Sequence, residues 1–166
     1  MHRALAGVSD SPTILVVCLG NICRSPYACL KLQVEFQKRG RDDILVKSAG
    51  FIFPDRPSPP EAQRAAAHRG LDLAPHRSQV MEAETVNSAN LILVMSRMQQ
   101  LDLAHEFGRT KTVLILGDAD PGWAATRTVK DPIDQPIEVF ESVFDRLDRC
   151  CASIVDAISV KSRRNG

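Results

Sequence analysis

The chain has 166 residues, 44% of them hydrophobic, the size and apolar content of one compact domain around a single core. Its 21 basic and 20 acidic side chains nearly cancel, which excludes the broad positive field of a protein drawn to nucleic acid or an acidic membrane, so any anion must be held locally. No apolar run reaches the roughly 18 residues that span a bilayer, MHRALAGVSDSPT lacks the apolar stretch of a secretory signal, and five cysteines without a C-x-x-C pair suit neither a disulfide framework nor a zinc site; a soluble, cytoplasmic protein is expected.

After a first dozen residues that read as a loose end, TILVV at 13–17 predicts a strand and YACLKLQVEFQKRG at 27–40 a helix. DILVKSAG at 43–50 predicts a second strand, and PPEAQRAAAHRG at 59–70 a helix closed by Gly70. A short helix from Val80 to Asn87 follows, then a strand LILVM, a helix RMQQLDLAHEF and a strand TVLIL. The last helix begins near Pro136 and carries Ile137, Phe140, Phe144, Leu147, Cys151, Ile154 and Ile158 on one stripe, with Cys150 at its flank. The final KSRRNG, 161–166, reads as another loose end. Continuously apolar strands alternating with helices predict one α/β domain over 1–166: a small doubly wound sandwich with a four-stranded parallel sheet and helices on both faces. Ligands bind beyond the carboxyl ends of such strands, in the loops after Val17, Ser48, Met95 and Leu116.

The first of these loops reads CLGNICRSP, with Cys18 and Arg24 six positions apart. A short turn between a strand and a helix N-terminus can curl its backbone N–H groups inward, making a nest for a tetrahedral anion under the positive end of the helix dipole. Leu19, Gly20, Asn21, Ile22 and Cys23 would form the curl. Gly20 and Asn21 tolerate positive φ, Ser25 suits a helix N-cap and Pro26 a first helical position. The same amides favour a thiolate at Cys18, and Arg24 offers a planar fork for two phosphate oxygens. C-x5-R alone is more often an ordinary turn with a buried cysteine and a surface arginine; the preceding strand and the placing of Gly, Asn and Ser-Pro reverse those odds. Cys23, in the same curl, is a candidate partner for reversible oxidation of Cys18.

TILVVCLGNICRSP resembles the phosphate-binding loop of the low-molecular-weight protein tyrosine phosphatases, whose signature is C-x-G-N-x-C-R-S-P. The likeness runs on through KSAG, PHRSQ, NLILVMSR and DPIDQPIEVFE. It implies hydrolysis of phosphotyrosine in protein substrates through a phosphocysteine, without a metal or organic cofactor. The implied roles are Cys18 as nucleophile, Arg24 as phosphate clamp and Asp131 as acid, with Asn21, Ser25, Ser48 and His76 holding the loop curled. Pro132 holds Asp131 extended, which suits a proton donor, although an Asp-Pro turn alone would signify little. Because Asp131 must arrive protonated, turnover should be best on the acid side of neutrality.

Two departures stand out. Ser96 occupies a place where the family usually has an acid, leaving the rigidity of the site open, and Ile133 and Asp134 replace the aromatics that usually follow Asp-Pro. The substrate cleft is therefore expected between Phe51 or Phe53 of FIFPDRP on one side and Ile133 with Asp134 on the other. An arsenate reductase of the same fold would need resolving thiols in the middle third, where this chain has none. A phosphate-binding or phosphoprotein-binding module without catalysis would have to retain Cys18, Arg24 and Asp131 idly.

Overall fold

The structure, a computed structural model, describes Leu5, Val8 and residues 11–108, 112–122 and 125–165, the last five as backbone only. Four strands form it: β1 (Thr13–Cys18), β2 (Leu45–Gly50), β3 (Leu91–Val94) and β4 (Thr112–Ile115). They lie parallel in the order β2-β1-β3-β4. The helices are α1 (Arg24–Gln37), α2 (Pro60–Ala67), α3 (Ala83–Ser88), α4 (Arg97–Phe107) and α5 (Ile137–Asn165), with a 3-10 turn at Leu116–Ala119 after β4. The expected doubly wound sandwich is the fold observed.

Period-2 alternation divides the strands between two cores. Ile14, Val16, Cys18, Leu91 and Leu93 face the layer built on α1 and α5; Leu15, Val17, Ile92 and Val94 face Val86 and Leu103 of α3 and α4. Both faces are covered at the centre of the sheet, so β1 and β3 are apolar almost throughout, whereas the edge strand β2 alternates and leaves Leu45 and Lys47 exposed. Register brings Cys18 opposite Gly50 at the strand ends, setting the first loop against the end of β2.

The helix behind that loop is pinned to α5. Tyr27 of α1 is fully buried and stacks on Phe144, ring centroids 3.8 Å apart and 12° from parallel, a contact worth roughly 0.5–1.5 kcal/mol beyond its area. Its hydroxyl donates to Asp148 Oδ1 at 2.6 Å. Burial, aided by that carboxylate, pushes the Tyr27 phenol far up and keeps it a donor.

Several local expectations are corrected. Leu5 and Val8 are buried in the larger core although they fall in the segment read as a loose end; spaced three apart, both can enter one core. The rest of 1–10 lies outside the described residues. The last helix continues to Asn165, through most of KSRRNG, while Gly166 lies outside them. Cys150 is as buried as Cys151, because α5 packs on its Cys150 side against the 3-10 turn and the chain that follows it, not only against α1. Helix α1 opens at Arg24 with Cys23 in the cap position and no side-chain cap, so Ser25 lies inside the first turn. Its hydroxyl is committed to the curl beside it.

Candidate active site

The chain between β1 and α1 closes on itself around Asn21. This residue is fully buried at φ 49°, a left-handed conformation that asparagine tolerates better than most, whereas Gly20 does not need it. Asn21 Nδ2 donates to Ser25 Oγ at 2.8 Å and Ser48 Oγ at 3.0 Å. Its Oδ1 accepts from the backbone N–H of Gln79 at 2.9 Å, and its carbonyl from His76 Nε2 at 2.7 Å. Burial lowers the His76 pKa and favours the neutral ring, which still supplies that N–H. One side chain thus ties the loop to β2 and to the segment before α3, leaving little freedom to uncurl.

Close approach makes Gly50 necessary. A Cβ there would stand 2.8 Å from the Leu19 carbonyl and 2.9 Å from the Asn21 nitrogen, nearer than real contacts allow. In the sequence KSAG reads as the end of a strand and as part of the resemblance, without a role for Gly50; a glycine ending a strand beside an anion loop is the available signal.

Cys18 is 2% exposed, its Sγ 3.0 Å from Ser25 Oγ. A thiolate there receives that hydroxyl proton as a hydrogen bond. Arg24 is 5% exposed; Nη1 donates to the Val129 carbonyl at 3.1 Å, Nη2 pairs with Asp131 Oδ2, and Nε is buried without a protein partner. The guanidinium is therefore fixed with a donor unspent. Asp131 accepts from Ile133 N through its other oxygen at 3.3 Å and keeps about a third of its side chain exposed, so water reaches it.

These groups line one pocket. Cys18, Ile22, Cys23 and Arg24 are its buried members; Leu19, Ile52 and Ile133 join Ile22 in making it largely apolar, with Gly20, Arg56 and Asp131 completing it. Burial, with the charges of Cys18 and Asp131, pushes the Cys23 thiol far up. Ser48 and His76 stand outside the pocket, behind the curl.

The expected cleft walls are placed differently. Ile133 lines the pocket, but Asp134 is exposed in a left-handed turn at φ 59° and does not. Ile52, rather than Phe51 or Phe53, supplies the facing wall. Phe51 packs on the core beneath α3 and α4, and Phe53, at φ 53°, swings outward to 62% exposure with the Arg56 guanidinium 5.8 Å from its ring centre. Arg56 itself escaped the sequence reading, although FIFPDRP contains one basic residue beside the expected wall. At the acid position of the family stands Ser96, which caps α4 by accepting from Gln99 N at 3.3 Å. Gln99 in turn accepts from Met95 N at 2.9 Å, so the end of β3 is held by neutral groups. Among the described residues no three His, Cys, Asp or Glu side chains converge on a metal site.

Comparison with known proteins gives the chain's relatives. The low molecular weight phosphotyrosine protein phosphatase family matches residues 13–164. A probable low molecular weight protein-tyrosine-phosphatase, EpsP of Ralstonia nicotianae, is 33% identical over 82% of this chain and 89% of its own. Wzb of Salmonella typhi, named a low molecular weight protein-tyrosine-phosphatase, is 31% identical over 89% and 95%. Among solved structures, a YwlE arginine phosphatase variant with a phosphorylated serine in place of its active-site cysteine superposes with a TM-score of 0.81 at 28% identity, covering 93% of this chain and 99% of that one.

Proposed function

The chain belongs to the low molecular weight phosphotyrosine protein phosphatase family, and on that premise we propose that it hydrolyses phosphotyrosine in protein substrates with Cys18 as nucleophile, Arg24 as phosphate clamp and Asp131 as general acid. The observation that carries the assignment is the convergence of a buried thiol, a fixed guanidinium and a water-accessible carboxyl on one small pocket.

The substrate phosphate takes over the Arg24 fork from its pairing with Asp131, and the loop amides receive the remaining oxygens. Cys18 Sγ attacks phosphorus in line as the P–O bond to the phenol breaks. Asp131 gives its proton to the departing oxygen. A phosphocysteine and a free tyrosine result. The Asp131 carboxylate then takes a proton from water, whose oxygen attacks phosphorus; the S–P bond breaks, inorganic phosphate leaves and the thiolate returns. Arg24 and the amides hold the equatorial oxygens in both steps.

The likeness to an arginine phosphatase raises a second substrate, phosphoarginine. The walls argue against it. Leu19, Ile22, Ile52 and Ile133 offer apolar contact that suits an aromatic ring, whereas a guanidinium entering the same space gives up water for few acceptors beyond Asp131. Phosphate release from matched phosphotyrosine and phosphoarginine peptides tests this: kcat/KM should favour phosphotyrosine, and the reverse preference removes the aryl reading.

Ile133 provides area without a flat π-face. Ile133→Tyr should therefore lower KM for aryl phosphates about 2- to 10-fold, the equivalent of one ring contact, with kcat little changed. An unaltered KM would mean that this side chain does not meet the ring.

Two finer features belong to the same proposal. All five cysteines are free thiols, which suits a cytoplasmic enzyme, and no helix among the described residues is long and apolar enough to cross a membrane. Cys23 lines the pocket beside Cys18 and is the candidate to capture a Cys18 sulfenic acid as a disulfide with loss of water. Its raised pKa keeps it protonated and slows capture, so the disulfide should build up over prolonged mild peroxide treatment rather than at once. Peptide mapping that finds Cys18 overoxidised and no Cys18–Cys23 bond removes the role.

A further inference from the structure

Residues 125–131 run as a strap beside the carboxyl end of β3, and residues 126–129 of it are held on three sides. From α5, Arg146 donates Nη2 to the Thr126 carbonyl at 2.6 Å and Nη1 to the Thr128 carbonyl at 2.7 Å. Its Nε donates to Asp120 Oδ2 at 3.1 Å. Asp120 is 2% exposed in its side chain and also accepts from Arg149 Nε at 2.9 Å, Arg149 Nη2 at 3.0 Å and Gly122 N at 3.1 Å. From β3, the Met95 carbonyl accepts Val129 N at 2.8 Å, and from the phosphate loop Arg24 Nη1 takes the Val129 carbonyl. Beneath, Gly117 lies so close that a Cβ would fall 1.9 Å from the Arg127 carbonyl and 3.0 Å from Arg146 Nη2.

A surface loop needs no such set of bonds merely to stay folded. Here the bonds fall on residues 126–129, ending two positions before Asp131, and the last of them is made by the guanidinium that clamps phosphate. A displacement of the strap would therefore move Asp131 and loosen the Val129 contact of Arg24, while leaving the Cys18 loop, which is tied to β2 and His76, where it is.

We propose that Arg146, anchored by Asp120, is a positioning residue that sets the stand of Asp131 over the departing oxygen. The proposal rests on the reading of Asp131 as the general acid. A planar fork with three donors in use satisfies two carbonyls and a carboxylate together, which lysine cannot do. A misplacement of about 1 Å in a reacting group costs up to ~100-fold.

The test is a leaving-group series of substituted phenyl phosphates, measured as kcat/KM, for Arg146→Met, Arg146→Lys and Gly117→Ala beside Asp131→Asn. The Arg146 variants should lose roughly 10- to 100-fold with poor leaving groups and only a few-fold with nitrophenyl phosphate. Arg146→Met added to Asp131→Asn should cost nothing further with poor leaving groups, since the acid is already absent. Should Arg146→Met not fold, Arg146→Lys and Gly117→Ala carry the same comparison, the latter by lifting the strap from beneath. A uniform loss across leaving groups in these variants, or a lowered Tm with an unchanged series, overturns the positioning role while Asp131→Asn still shows its own dependence. If Asp131→Asn itself shows no dependence, the reading of the acid has failed and the proposal falls with it.

Discussion

Cys18→Ser protein is expected to lose turnover by on the order of 10⁵- to 10⁶-fold, the scale of removing a nucleophile that works as part of a unit, while still binding inorganic phosphate. The two results separate because the anion site is made by groups other than the thiol. Asn21, Ser48, Gln79 and His76 hold the curl, and Arg24 is fixed by Val129 and Asp131; none of these bonds passes through Cys18. A serine hydroxyl at position 18 can still hydrogen-bond Ser25, but it is a far weaker nucleophile than a thiolate. Calorimetric titration with phosphate and a single-turnover assay with a phosphotyrosine peptide read the two properties. Residual turnover within 100-fold of the parent would show that Cys18 is not the attacking group. Loss of phosphate binding together with turnover would show that the loop needs the thiol to keep its shape.

The parts of this molecule that were legible in its sequence are those where one local rule acts alone. Runs such as ILVV and LILVM are apolar at every position, which in strands separated by helices means a parallel sheet covered on both faces, and such a sheet was found. The spacing from Cys18 to Arg24, between a strand and a helix, likewise marked the pocket. What was not legible depends on backbone angles and packing that no neighbouring residue dictates. Phe51 and Phe53 were candidates for the ring wall because they are aromatic, but positive φ at Phe53 and Asp55 turns the chain so that Ile52 faces the pocket. Ser25 before Pro26 resembled an N-cap, yet the curl draws its hydroxyl to Cys18 and Asn21, a competition decided by contacts with β2. Cys150 was read as flank because α5 was assigned a single stripe, and the second packing surface, the turn after β4, has no periodic signature. The strap that carries Asp131 belongs to the same class: its hold depends on Arg146 and Arg149, which as isolated arginines on a helix look like solvated surface.

Asp131→Asn should reduce kcat/KM by roughly 10²- to 10⁴-fold for aryl phosphates with poor leaving groups, and by far less for nitrophenyl phosphate, whose phenolate departs without help. The choice of kcat/KM matters. That ratio reports the first chemical step, in which Asp131 donates its proton, whereas kcat with a good leaving group can be governed by hydrolysis of the phosphocysteine, in which the same residue acts as base. A loss in kcat that does not vary with leaving group, accompanied by a burst of phenol equal to the enzyme concentration, would therefore assign the second step to Asp131 as well. The geometry adds an effect on binding. The Asp131 carboxylate pairs with one arm of the Arg24 guanidinium, and an incoming phosphate dianion competes with it for that arm. Asparagine removes the negative charge and leaves a weaker acceptor, so phosphate and phosphate monoesters should bind the variant more tightly even as they react more slowly. Tighter binding with slower first-step chemistry is the combination expected of a group that is both acid and competitor. A variant that binds phosphate no better than the parent would show that the pair opens without cost on binding, and an equal fall in kcat/KM for every leaving group would take the acid role from Asp131.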